Sequence, residues 1–84
     1  MFQFMVFNYI LQKGFQAIRS IDDQDVENLE KKLKKEDAEA TANGKIMIMT
    51  PEFQVDLVNE ARRVCNKSND YVMKYIKVMS KKIA

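Results

Sequence analysis

Residues 45–83 read KIMIMTPEFQVDLVNEARRVCNKSNDYVMKYIKVMSKKI, and this stretch decides the fold. It opens with six residues, Lys45-Ile46-Met47-Ile48-Met49-Thr50, that are apolar and extended in character. Pro51 follows them, and proline is well tolerated at the first position of a helix, with threonine a good N-cap in front of it. We therefore expect a strand over residues 45–50 and a helix that begins at Pro51.

Two amphipathic helices are predicted after the strand. The first covers residues 51–65, and its apolar stripe consists of Val55, Leu57, Val58, Ala61, Val64 and Cys65. Asn66 and Lys67 interrupt the pattern, and Ser68 is placed to cap a second helix. In that second helix the apolar residues recur every three or four positions, at Val72, Ile76, Met79 and Ile83, and Met73 and Tyr75 are expected to join them.

A further helix is predicted upstream, over residues 22–42. Val26, Leu29 and Leu33 form a narrow apolar stripe, and acidic residues lie at the start, where a helix dipole favours negative charge. Ser20 and Asp23 could form a capping arrangement at its N-terminus. Asn43-Gly44 is typical of the left-handed cap that ends a helix.

Residues 1–21 leave two alternatives open. As a helix, the residues of one face would be Phe4, Phe7, Leu11, Phe15, Ile18 and Ile21. As a hairpin, two strands would flank Lys13-Gly14, which suits a turn, and the density of aromatic residues favours strands. The hairpin is the favoured alternative because glycine inside a helix costs about 1 kcal/mol relative to alanine.

Together these elements predict an α+β fold in a single domain, residues 1–84. Residues 1–44, with the helix over 22–42, would be an N-terminal extension of the strand-helix-helix module at 45–83. A monomer of 84 residues buries too little surface to be more than marginally stable, so we expect a homodimer.

Composition argues against several function classes. The chain has no histidine and one cysteine, Cys65, so the usual catalytic bases and soft metal ligands are missing, and we expect no enzyme activity, no cofactor and no metal. A single cysteine without a disulfide partner suits a cytoplasmic location. The apolar segment Met1–Leu11 lacks a basic region and is too short for a bilayer, so we expect no membrane partner.

The order of strand, Thr-Pro, helix, Asn-Lys-Ser turn and second helix in residues 45–83 resembles the ribbon-helix-helix (Arc/MetJ-like) family. Pro51 matches the helix-opening proline, Ala61 and the residues Asp56-Leu57-Val58 match the first helix, and Lys67-Ser68 match the turn. The resemblance implies a dimer in which two strands pair across a two-fold axis and one face of the ribbon enters the major groove of DNA.

This resemblance also assigns site residues. Ile46, Ile48 and Thr50 would face the helices, and the other alternate residues of the strand, Lys45, Met47 and Met49, would face the groove. Phosphates would be contacted by Arg62, Arg63, Lys67, Ser68 and Asn69, the last two at a helix N-terminus. Methionine cannot read a base by hydrogen bonding, so Met47 and Met49 offer only apolar contacts, for example to a thymine methyl group.

Function is therefore predicted as a small dimeric DNA-binding protein and transcriptional repressor. The charge distribution supports an anionic partner, since residues 61–84 carry a net charge of +6 and residues 21–40 a net charge of −4. An alternative is a protein-interaction module of phage or mobile-element type, similar to an inhibitor or antitoxin. It would present Met1–Leu11 or the pair Met47 and Met49 to a host or toxin protein. A further alternative is RNA binding by the basic C-terminal end.

Overall fold

Five helices make up the fold of the protein in the computed structural model, which describes residues 2–83 except for the side chain of Ile83. They are α1 (Phe2–Lys13), α2 (Phe15–Arg19), α3 (Asp23–Ala42), α4 (Pro51–Cys65) and α5 (Asn69–Ile83). No strand occurs among these described residues. The fold is all-α, and the predicted α+β class is wrong. The predicted apolar segment Met1–Leu11 begins at a residue that lies outside the described residues. The predicted place of Ile83 in the apolar stripe of α5 concerns a side chain that is also outside them.

The predicted strand over residues 45–50 is an irregular link between α3 and α4. Its orientation is also the reverse of the predicted one, because Ile46 and Ile48 are 94% and 102% exposed. Met47 and Met49 are half-buried instead, and Met49 packs against the core. A ribbon-helix-helix protein requires a strand here, so the resemblance to that family was misleading.

The physical reason is that an isolated apolar run of this length carries no signal that separates a strand from an extended loop. The Gln54 side-chain amide donates a hydrogen bond to the Met49 carbonyl, at 3.0 Å, so this backbone carbonyl of the link has a partner without a neighbouring strand. With that bond and the packing of Met49, the link is held without a neighbouring strand.

Residues 2–19 form two helices, so the favoured hairpin is wrong and the helical alternative is confirmed. Gly14 joins them with a φ of +83°, and its N–H donates to the Ile10 carbonyl at 2.8 Å. Gly14 combines its positive φ with an extended ψ of 154°, a conformation that residues with a side chain rarely adopt, and this allows the chain to break between the two helices. Of the predicted face, Phe7 and Ile18 are buried, but Leu11 is exposed, and the buried Val6 and Ile10 were not part of the prediction.

Helix α3 has the predicted bounds to within one residue. Its N-terminal capping box is formed by Asp22 and Asp25, where Ser20 and Asp23 were predicted; the Ser20 hydroxyl donates to the Ala17 carbonyl instead. Gly44, with a φ of +72°, confirms the predicted left-handed cap. Leu33 is the one buried residue of this helix, and residues 34–42 are exposed or half-buried.

The two C-terminal helices confirm the predicted boundaries. The Thr50 hydroxyl accepts a hydrogen bond from the Phe53 N–H, and the Ser68 hydroxyl accepts one from the Tyr71 N–H, both at 3.2 Å. These are N-caps, which satisfy donors that the first turn of a helix leaves free. The predicted apolar stripe of α4 is buried along its whole length.

Helix α4 lies at the centre of the molecule and contacts each of the other four helices. One flank of α4 joins the main core, which consists of Val6, Ile10, Ile18, Leu57, Ala61, Val64 and Cys65. Helix α3 packs on α4 alone, and α5 packs on α4 and α1. Within the described residues α3 and α5 do not touch, so the acidic and the basic helix lie on different flanks of α4.

The overall shape is flat, with extents of 45, 30 and 15 Å and a radius of gyration of 14.6 Å. A compact domain of this length has a radius of gyration of about 12 Å. The described part of the chain contains no helix with the length and apolarity needed to cross a bilayer.

Candidate nucleic-acid interface

The turn between α4 and α5 is held in place by Arg19, a residue that sequence reasoning did not select. The Arg19 Nε donates to the Cys65 carbonyl at 2.6 Å, and its terminal nitrogen donates to Asn69 Oδ1 at 2.9 Å. The first bond satisfies a free carbonyl at the C-terminus of α4, where a positive charge is also favourable. The second ties the first residue of α5 to α2. Arg19 therefore fixes the direction in which α5 leaves α4.

The two arginines predicted to contact phosphate are instead engaged within the protein. Arg62 forms an ion pair with Asp23 of α3 at 2.8 Å, and its side chain is 20% exposed. Arg63 donates to Glu60 one turn earlier, and this hydrogen bond lowers the pKa of the Glu60 carboxyl. Arg62 therefore offers little surface to an external anion, whereas the Arg63 side chain remains 53% exposed beside Glu60.

The remaining predicted site residues fall into two groups. Lys67, Ser68 and Asn69 lie together at the start of α5 and are exposed. Lys45, Met47 and Met49 lie before the other end of α4, a helix of 15 residues that spans about 22 Å. The structure therefore does not bring the predicted strand residues and the predicted phosphate anchors together.

Two of the three anchors already have local structural roles. The Ser68 hydroxyl caps α5, and the Asn69 amide oxygen is occupied by Arg19. Lys67 is exposed in the turn and is left as the residue of this group that is best placed to meet an anion.

A basic stripe runs along the outer side of α5 and was not among the predicted site residues. Lys74, Lys77 and Lys81 follow each other at spacings of three and four, which places them on one side of a helix. All three are exposed and lie opposite the buried Val72 and Met79. No ion pair within the described part of the chain involves them. These three residues are called the lysine face below.

The sequence did contain a signal for the lysine face. These lysines contribute to the net charge of +6 over residues 61–84, and their helical spacing is readable once the buried stripe of α5 is assigned. The resemblance to the ribbon-helix-helix family, in which the strand contacts DNA, placed the predicted site on the strand and the turn instead.

Exposed apolar side chains border the lysine face on both flanks. Tyr71 and Val78 lie on one flank and line a shallow recess of about 220 Å³ with Lys74. Met73, which is 60% exposed, lies on the other flank. The outer surface of α5 is thus a row of positive charges between two apolar edges.

Acidic residues are concentrated on α3, which does not touch α5 in the described structure. Eight acidic and four basic residues occur over residues 21–40. The protein is therefore electrically asymmetric, with the uncompensated positive charge on α5. Such a field attracts an anionic polymer to one side of the molecule and raises the rate of association.

In residues 2–83, no group of three histidine, cysteine or carboxylate side chains is placed to hold a metal ion. The thiol of Cys65 is fully buried in the core, and burial raises its pKa. A protonated, buried thiol packs as a small apolar group.

No protein-family model matches the chain, and the searches of curated proteins and of solved structures gave no match.

Proposed function

We propose that the protein binds duplex DNA through α5. The observation that carries this proposal is the lysine face: three exposed lysines on one side of a helix, without ion-pair partners among the described residues. Lysines that neutralise phosphates release condensed counterions, which is the main source of sequence-independent affinity for DNA.

The dimensions of α5 suit the major groove. An α-helix with its side chains fits a groove about 12 Å wide, and Lys74 and Lys81 are separated by about 10 Å along the helix axis. Long lysine stems can then reach phosphates at the edges of the groove. Met73 lies beside them, where an apolar contact to a thymine methyl group is possible.

Duplex DNA is a better match for this surface than RNA. The major groove of an A-form RNA duplex is deep and narrow, so a helix cannot enter it. Recognition of single strands depends on several aromatic platforms on which successive bases stack, whereas α5 presents a row of lysines with Tyr71 at its edge. We therefore assign the partner as B-form DNA.

Sequence discrimination is expected to be modest. Arginine is the residue that most often reads guanine through two hydrogen bonds, and Arg62 and Arg63 are paired with carboxylates of the protein. Lysine acts mainly as a point charge on the backbone. The protein is thus proposed to bind DNA in general, with a smaller contribution from base contacts, which differs from a repressor of high specificity.

The test is a titration of a fluorescently labelled duplex of about 20 base pairs, followed by anisotropy between 50 and 400 mM salt. Contacts from the lysine face predict a log–log slope near −2.7, at about −0.9 for each phosphate neutralised. We also expect duplexes of unrelated sequence to differ by less than about tenfold in Kd, since mismatches that cost 1–3 kcal/mol each require base readers. Absence of saturable binding at 50 mM salt, or tighter binding to single-stranded RNA than to the duplex, would contradict the proposal.

A further inference from the structure

The link between α3 and α4 exposes two large apolar side chains. Ile46 and Ile48 are 94% and 102% exposed, so nearly all of each side chain's surface is open to solvent in the single chain. Single exposed apolar residues are ordinary, but two isoleucines at alternate positions of one projecting link form an apolar knob. This pair is called the isoleucine knob below.

A recess that is apolar at its start begins at the isoleucine knob, where Ile48 forms part of its wall. It continues along α4, past Phe2 of α1, to polar and charged residues. Its first part, about 310 Å³, is lined by Met5, Ile48, Met49, Thr50 and Phe53. A second part, about 570 Å³, shares Phe53 and is lined by Phe2, Asp56, Asn59, Glu60 and Arg63. The rings of Phe2 and Phe53 meet edge to face at 5.6 Å and join the two parts. These two parts together are called the α1–α4 groove below.

We propose that a second copy of this chain docks on this surface and that each copy inserts its isoleucine knob into the α1–α4 groove of the other. A knob and a groove that adjoin on the same side of one chain are self-complementary, and a two-fold axis between them forms both contacts at once. This interface goes beyond DNA binding and does not depend on it.

The surface area of the chain fits this occupant. Its accessible surface is 6070 Å², whereas a folded monomer of 9.8 kDa has about 5,200 Å². The difference, about 900 Å², is close to the 800 Å² per partner that a stable interface of standard size buries. The molecule is also flat, with a thickness of 15 Å along its shortest axis.

Charges at the edges of the interface are also complementary. Lys45 precedes the isoleucine knob, and Asp56 lines the α1–α4 groove. No ion pair within residues 2–83 involves either residue. When the knob of one copy enters the groove of the other, Lys45 is carried toward Asp56 of that copy, and the two-fold axis repeats this pair.

The molar mass in solution tests the proposal without DNA. At 10–100 μM we expect the wild-type protein to have twice the chain mass of 9.8 kDa by sedimentation equilibrium, and the double variant Ile46→Ser with Ile48→Ser to have the mass of one chain. Both residues are exposed in the monomer, so this variant retains its helical circular dichroism. The matched control, Leu11→Ser with Met73→Ser, also removes two exposed apolar side chains and is expected to remain a dimer.

Reversal of the edge charges provides a second and more specific readout. Lys45→Glu or Asp56→Lys alone is expected to raise the dimer Kd by at least tenfold, because each places like charges together twice in the dimer. The combination of both changes is expected to return the Kd to within about threefold of the wild type. A monomeric wild type at 100 μM, a serine variant at 46 and 48 that remains dimeric, or dissociation caused by the Leu11 and Met73 control overturns the proposal. A wild-type monomer that is stable alone and binds a different protein through Ile46 overturns it as well.

Discussion

Replacement of Lys74, Lys77 and Lys81 together by glutamine is expected to lower the affinity for duplex DNA by about 10²–10³-fold at 0.1 M salt. Three phosphate contacts contribute about −2.7 to the log–log salt slope, so they account for roughly 500-fold in affinity between 1 M and 0.1 M salt. The slope of the variant should become less steep by the same amount. Glutamine preserves helix propensity and side-chain length, so the loss reports on charge.

The matched control is the triple change of Lys31, Lys32 and Lys35 to glutamine on α3. It removes the same number of positive charges from exposed positions of another helix. We expect less than about a threefold change in Kd, because α3 does not touch α5 and already carries a net negative charge. If the two triple variants weakened binding equally, affinity would depend on total charge and the lysine face would have no special role.

Replacement of Ile10 by alanine is expected to destabilise the protein by about 2–5 kcal/mol. Ile10 is 0% exposed and belongs to the core that α1 and α2 share with α4, and large-to-small changes at such sites leave a cavity. A domain of this length has a free energy of unfolding of about 4–13 kcal/mol, so the loss is a large fraction of the total. The measurement is urea denaturation followed by circular dichroism.

The neighbouring Leu11 provides the control for that experiment. It is 56% exposed, so Leu11→Ala is expected to cost less than about 1 kcal/mol. A similar loss of stability for both variants would contradict the burial pattern of α1 described above.

The helix boundaries of α3, α4 and α5 could be predicted because their signals are local. Thr50 before Pro51, Ser68 before α5 and Gly44 after α3 act through hydrogen bonds and backbone angles within a few residues. Such signals do not depend on the rest of the fold. They were sufficient to place the two C-terminal helices in the sequence.

The fold class was mispredicted at two places where local signals are ambiguous. Gly14 provides a positive φ, which suits a hairpin turn as well as the end of a helix, and the packing of Ile10 and Ile18 on α4 decides between them. The run over residues 45–50 has the composition of a strand but no partner strand in the described chain. Tertiary contacts determine both outcomes.

The candidate site was predictable only in part, for a related reason. The helical spacing of Lys74, Lys77 and Lys81 is visible in the sequence. The hydrogen bonds from Arg62 to Asp23 and from Arg19 to Asn69 cannot be read from the sequence, because these partners are 39 and 50 residues apart. A charge count treats all basic residues alike. In the fold, Arg19 and Arg62 bind other parts of the protein, whereas the lysine face is open to an external anion.

The most direct test of the central claim, that α5 is the DNA-binding element, is a map of the backbone amides that respond to DNA. We propose to record nitrogen–proton correlation spectra of the labelled protein during titration with an unlabelled duplex of 16 base pairs at 50 mM salt. If α5 binds DNA, the perturbed amides lie within residues 66–82 and those of α3 remain unchanged. Perturbations centred on residues 45–50 or on α3, or a spectrum that does not respond to DNA, would contradict it.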